Sequence, residues 1–172
     1  MATAQFRDTI PGPWISIEPV RVGKLPAGLG TPDRYVVVED GKKLLRIDVY
    51  LSRYECGGPF EEVAIWGEFV LIGCCEHVFL VPLHGGKVTT IELDGYFGHL
   101  WLHDDVLLVA SQDRLFRLSR TGELIWTTGK LGIDGVVVDR LQDGIVYGQG
   151  EWDPPGGWKR FAIRLDSGEF VP

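Results

Sequence analysis

Several things are missing from this sequence, and each absence narrows what it can be. Its 172 residues contain no apolar run near the roughly 20 residues of a membrane span. The opening stretch MATAQFRDTIPGPW has no charged segment leading into an apolar run of signal-peptide length, so the expected location is the cytoplasm, without membrane attachment. Lys and Arg total 17 against 24 acidic residues, a net charge of −7, and the basic residues form no cluster. Binding to a nucleic-acid backbone needs clustered cations that release counterions, so no nucleic-acid partner is expected, whereas a basic protein would be steered toward the surface. There are three cysteines, Cys56, Cys74 and Cys75. An odd count with an adjacent pair makes a disulfide framework improbable, and the expectation is buried thiols, with Cys74 and Cys75 both reduced.

No stretch shows apolar residues at a 3.6-residue period over ten or more positions, which excludes an amphipathic helix. Instead there are 23 glycines and 10 prolines spread along the chain, with 45% hydrophobic residues, a balance that fits short strands between tight turns. The length fits one domain.

The organising stretch is Leu115 to Thr127, LFRLSRTGELIWT, a strand, a polar turn at Thr121-Gly122 and a second strand ending on Trp126. The same pattern recurs as FLVPLHGGKVTTI (Phe79 to Ile91) and FAIRLDSGEFV (Phe161 to Val171). Aligning GEFVLIG, DDVLLVA and DGIVYGQ places Gly67 and Asp104 37 residues apart, and Asp104 and Asp143 39 apart. The period is therefore about 38. Each unit reads as four short strands, the last of them ending in Glu169 to Val171. Upstream, Asp33 to Tyr54 reads as a hairpin turning at Asp40-Gly41, preceded by candidate strands at Trp14 to Ile17 and Pro19 to Val22. Cys56-Gly-Gly-Pro59 closes that region.

The expected fold is all-β: consecutive four-stranded antiparallel units of about 38 residues, a small or partial propeller-like array, because a repeat with apolar residues on both faces must be covered by neighbours on both sides. The whole chain, 1–172, forms a single domain, with an irregular N-terminal segment and hairpin (1–60) and units at 61–98, 99–135 and 136–172. The phrase carried by Leu118, Thr121, Gly122, Glu123 and Trp126 resembles the hairpin that ends blades of quinoprotein-like (PQQ-like) and related WD40-like propellers. The equivalent turns at 84–86 and 166–168 keep the glycine and lose the Trp. The resemblance covers Glu61 to Val171 and implies architecture, since such folds host catalysis, ligand binding and scaffolding alike. Three clear units fall short of a four-bladed ring. Either the N-terminal part supplies a further blade, or the array stays open with edges that need protection or pairing, including pairing into a homodimer.

No metal site, cofactor or catalytic constellation is expected. His99 and His103 lie four apart, about 13 Å along a strand, too wide for one metal ion. Cys74-Cys75-Glu76-His77 reads as a hairpin turn, and no nucleophile, phosphate-binding or dinucleotide fingerprint occurs. The feature that breaks the repeat is Gly150 to Gly157, an insertion where the second unit has only Ser111 to Asp113. It places Glu151, Trp152, Asp153 and Trp158 around a Pro-Pro and a Gly-Gly, a composition that fits either a binding rim or a cover for a sheet edge. The functional expectation is a non-catalytic protein-binding module, such as a small acidic immunity-type protein that caps a basic partner. The alternative is a ligand-binding or enzymatic propeller-like domain with a small-molecule site.

Overall fold

The computed structural model describes residues 2–51 and 58–171. Fifteen strands follow one another: β1 (Thr3–Arg7), β2 (Val20–Gly23), β3 (Arg34–Asp40), β4 (Lys43–Tyr50), β5 (Glu61–Trp66), β6 (Phe69–Cys74), β7 (His77–Pro82), β8 (Thr89–Glu92), β9 (Phe97–His103), β10 (Val106–Ser111), β11 (Leu115–Leu118), β12 (Leu124–Thr127), β13 (Val136–Gln142), β14 (Ile145–Glu151) and β15 (Trp158–Arg164). They form four separate sheets, ordered β1-β3-β4-β2, β5-β6-β7-β8, β9-β10-β11-β12 and β13-β14-β15. The fold is all-β, a propeller-like repeat of sheets. Among the described residues no helix is long and apolar enough to cross a membrane.

The repeat has a local cause. In each of the last three sheets the first hairpin has a two-residue loop, because Trp66 pairs with Phe69, His103 with Val106 and Gln142 with Ile145. The first loop residue is left-handed every time: Gly67 (φ 57°), Asp104 (φ 49°) and Asp143 (φ 52°). Such tight loops match the strand twist only with positive φ, which Gly and Asp tolerate at low cost. The recurring Gly-Glu, Asp-Asp and Asp-Gly pairs are therefore a backbone requirement.

Successive sheets pack face to face through three buried clusters. Val36, Ile47 and Val49 of the first sheet meet Val70, Ile72 and Phe79 of the second. Leu71, Val78 and Leu80 meet Phe97, Leu107 and Val109. Leu108, Ala110 and Leu115 meet Val138, Val146 and Ile163. β6 and β10 thus bury both faces, which is why their sequences are nearly continuous apolar runs. No buried cluster among the described residues joins the fourth sheet to the first. The tryptophan of the organising phrase ties neighbours together, since Trp126 Nε1–H donates to the Leu165 carbonyl at 2.8 Å and Arg117 Nη1–H donates to the same oxygen at 2.7 Å.

The N-terminal region departs from expectation. The strand expected at Trp14 to Ile17 is instead a 3-10 turn over Gly12–Trp14 followed by further turn. Pro11 and Pro13 supply no N–H for a strand ladder, and the turn folds Trp14 onto the outer face of the first sheet, where its indole is buried and Nε1–H points at the Val38 carbonyl (3.4 Å). β1 has no counterpart in the sequence reading, and with β2 to β4 it makes residues 3–50 a four-stranded sheet. Within it β2 runs parallel to β4, so this sheet is not wholly antiparallel. The fourth sheet also differs, because the strand expected at Glu169 to Val171 shrinks to a single bridge between Phe170 and Ile163. The part of the expected hairpin beyond Leu51, and Cys56, lie outside the described residues.

The thiol expectation holds only in part. Cys74 ends β6 as a buried free thiol, its pKa pushed up to about 12 first by burial and then by the nearby charge of Glu61. Cys75 is disulfide-bonded, which corrects the expectation that both stay reduced. The two cysteines are not simple strand neighbours on opposite faces: Cys75 is a left-handed turn residue (φ 51°), which takes it out of the strand alternation.

Two measurements follow from this packing. An ideal Cβ at Gly73 would lie 2.2 Å from the Phe97 ring of the next sheet. Gly73→Ala is expected to cost about 1–3 kcal/mol in urea denaturation, the usual penalty of overpacking; an unchanged midpoint would refute this account of the interface. In denaturant without reductant, a maleimide is expected to label Cys74 and leave Cys75 unmodified. Labelling of Cys75 would show it to be a thiol.

Candidate functional site

A concavity formed by side chains of several sheets opens where the leading strands of the second, third and fourth sheets converge. Its volume is about 650 Å³, within the range of small-ligand sites. β5 contributes Glu62, β9 contributes His99, and β13 contributes Val136 and Val137 to the floor. Phe60 and Tyr96 enter from the segments just before β5 and β9. Asp134 and Gly135 enter before β13, and Glu151 and Trp158 from the end of the β14-β15 hairpin.

Backbone and side-chain bonds fix this arrangement. Glu62 Oε2 accepts the Leu100 N–H at 2.8 Å, bracing β9 against β5. The Tyr96 hydroxyl reaches Asp134, within 2.8 Å of its carbonyl and 3.0 Å of Oδ1, so it bridges the third sheet to the loop before the fourth. Gln112 Nε2–H donates to the Ile133 carbonyl at 3.1 Å, and the Glu151 backbone exchanges bonds with Ile133 and Gly135. The phenol of Tyr96 has its pKa raised to about 12, first by burial, then by its bond to Asp134 and the negative charges of Asp134 and Glu151. His99 is half-buried, and its pKa is lowered by burial, with Glu62 opposing the shift. At neutral pH the imidazole is therefore uncharged, and the charged side chains that line the hollow among the described residues, Glu62, Asp134 and Glu151, are all acidic. Phe60, Tyr96 and Trp158 supply aromatic surface, with the Phe60 and Tyr96 rings 6.2 Å apart.

Of the four residues singled out on the insertion, Glu151 and Trp158 face each other across the hairpin end and both line the hollow. The Trp158 indole also covers Gly135, whose ideal Cβ would sit 3.1 Å from the ring. Trp152 turns to a separate shallow groove with Leu131, Phe161 and Phe170, where its ring lies 5.6 Å from Lys159 Nζ. Asp153 stays exposed at the loop, its carbonyl accepting the Gly157 N–H at 2.9 Å. Glu151 Oε1 accepts the Gly156 N–H, which closes the loop on its own base. The insertion thus feeds two surfaces rather than one.

Glu62, Tyr96 and Asp134 escaped the sequence reading because they are far apart in the chain and none belongs to a recognisable motif. A signal was present: Glu62 and His99 are 37 residues apart and Tyr96 and Asp134 are 38 apart, the repeat period itself. Polar residues at one repeat position converge when the leading strands stack around a common axis. His99 and His103 both sit on β9, and His103 lies against Trp101 at 5.5 Å between rings. Glu76 occupies the β6-β7 turn and His77 begins β7, stacked on Phe79 at 5.7 Å. Among the described residues no group of three His, Cys, Asp or Glu side chains could hold a metal ion. Compared with protein-family models and with curated proteins, the sequence matches none.

The depressed pKa of His99 makes a stability prediction. The unfolded chain takes up a proton near pH 6.5 and the folded chain only at lower pH. Stability from this group is therefore complete above about pH 6.5 and is lost as the pH falls toward the folded value. His99→Asn is expected to flatten the fall of Tm between pH 7 and 5 relative to wild type, read by differential scanning fluorimetry. Parallel profiles would show that His99 titrates alike in both states.

Proposed function

We propose that the chain is a non-catalytic protein-binding module that receives a cationic group of a basic partner in the hollow between its second, third and fourth sheets. One observation carries this reading: among the described residues the hollow is lined by three carboxylates and three aromatic faces, and by no Lys or Arg. A guanidinium or ammonium gains both Coulomb attraction and cation–π contact in such a place. The net charge of −7 adds long-range steering. Among the described residues that line the hollow, the serine, Ser111, is engaged with the backbone of Arg114 at 3.3 Å and is not poised as a nucleophile. An immunity-type role, capping a basic protein, is one form of this function. The quinoprotein-like or WD40-like resemblance of the Leu118 to Trp126 hairpin agrees with a scaffold of this kind. The disulfide of Cys75 favours an oxidising compartment over the cytoplasm.

A second reading, a small-molecule site, draws on the volume of about 650 Å³. Native mass spectrometry of the protein isolated from its own source separates the two: a stoichiometric basic protein supports the first, a retained small molecule the second. With the partner in hand, the double variant Glu151→Gln, Trp158→Ala is expected to weaken binding by about 2 kcal/mol, roughly thirtyfold, while Tm moves by only a few degrees. Wild-type affinity in that variant would overturn the reading. So would a large fall in Tm with normal binding in the cold, which would leave the indole as a cover for the sheet.

A further inference from the structure

The lining of the hollow has a hydrogen-bonding pattern that its charge alone does not convey. Each carboxylate has one oxygen engaged by the protein itself: Glu62 Oε2 accepts the Leu100 N–H at 2.8 Å, Asp134 Oδ1 lies 3.0 Å from the Tyr96 hydroxyl, and Glu151 Oε1 accepts the Gly156 N–H. Among the described residues nothing bonds to their other oxygens, Glu62 Oε1, Asp134 Oδ2 and Glu151 Oε2. The three belong to separate elements, β5, the segment before β13 and the end of β14, so the spare acceptors stand singly around the hollow and are not paired on one carboxylate. The neutral donors nearby are spent on backbone carbonyls, Ser111 on Arg114 and Gln112 on Ile133, so the open capacity of the lining is mainly that of an acceptor. The aromatic part is a wall. The Phe60 and Tyr96 rings lie 6.2 Å apart and are tilted by 38°. A group sandwiched between two rings needs about 7 Å, twice a carbon contact distance. Nothing fits between these two, and a ligand meets only the surface they present together, with the Trp158 indole added from the hairpin end.

We propose that the cation received in the hollow is the guanidinium of an arginine side chain, lying flat on the aromatic wall with its N–H edges turned to the three spare carboxylate oxygens. This rests on the reading of the hollow as a cation-receiving site and narrows it to one chemistry. Each competing cation meets only half of the lining. A lysine ammonium has donors but no flat face, and its strong hydration makes entry into an aromatic-walled hollow costly. A trimethylated ammonium suits aromatic faces, but it has no N–H for the oxygens and is held best inside a cage of rings, which Phe60 and Tyr96 do not form. A guanidinium carries five N–H groups fanned out in one plane and stacks on aromatic rings. Two-point pairing with a single carboxylate is blocked here, because one oxygen of each is already engaged. Bridging single oxygens on separate elements is what the fan of donors on a guanidinium allows, and it would also fix the direction from which the side chain enters.

The test is isothermal titration calorimetry of the whole chain with three capped tripeptides that differ only in a central arginine, lysine or trimethyllysine between glycines. The arginine peptide is expected to bind saturably and about tenfold more tightly than either of the others. Glu151→Gln keeps an oxygen for the Gly156 N–H while removing the charge, and it should weaken the arginine peptide severalfold. Trp158→Leu should bring the arginine peptide down to the level of the lysine peptide, because it removes the flat face and leaves the carboxylates. Should Trp158→Leu fail to fold, Glu151→Gln decides alone. Equal or tighter binding of the lysine or the trimethyllysine peptide would overturn the guanidinium assignment and leave the cation-receiving reading standing. Failure of all three peptides to bind at millimolar concentration would overturn both. Arginine binding that neither variant weakens would place the arginine elsewhere on the molecule and overturn the proposal as well.

Discussion

Face-to-face burial of successive sheets is the constraint on which everything else in this protein rests. An interior sheet in the series has two apolar faces, and removing only one of them from water would leave a row of Val, Leu and Ile exposed at about 25 cal/mol for each Å². Val70 and Ile72 of β6 pack toward the first sheet while Leu71 packs toward the third, so a single strand serves two cores. The close approach this requires is visible at Gly73, where the Phe97 ring occupies the space a side chain would need. The series is stable only as a series, because no sheet in its middle could stand alone.

The two ends of the series meet this constraint differently. At the first sheet, the chain between β1 and β2 crosses back and lays Trp14 over the outer face, and Arg46 covers the same side through its paired bonds to Asp48 at 2.8 and 3.0 Å. At the fourth sheet the outer face is met with polarity instead. Val136, Val138 and Val146 point inward, whereas Arg140 lies over the Tyr147 ring at 4.0 Å and Arg164 pairs with Asp166 on the solvent side. One end is therefore capped by its own chain and the other is hydrated. The insertion that carries Trp152 and Trp158 belongs to the hydrated end.

The candidate hollow depends on the same stacking. Glu62 on β5, His99 on β9 and Asp134 just before β13 are brought together because these leading strands of three sheets neighbour one another in space. The bonds from Leu100 to Glu62 and from Tyr96 to Asp134 show polar groups at the repeat period meeting across sheets. Burial then decides their charge states: it raises the pKa of the Tyr96 phenol and lowers that of His99, leaving carboxylates to set the sign of the site.

What the sequence determined by itself was local. Alternating apolar residues specify strands, and the Gly-Glu, Asp-Asp and Asp-Gly pairs suit two-residue turns whose first residue takes a positive φ, so the period near 38 and the all-β class were legible from residue order alone. The insertion at Gly150 to Gly157 was legible for the same reason, as a break in that period. Only the tertiary structure decided the rest. β1 and the parallel pairing of β2 with β4 depend on contacts some 20 to 40 residues away, which leave no periodic trace in a five-residue strand. The splitting of Trp152 from Trp158 depends on the face each takes at the end of a hairpin, and the disulfide of Cys75 on where a turn carries a side chain. Sequence fixes the conformation a residue prefers, but the neighbours it meets are set by how the sheets stack, and burial by those neighbours governs charge, reactivity and what can bind.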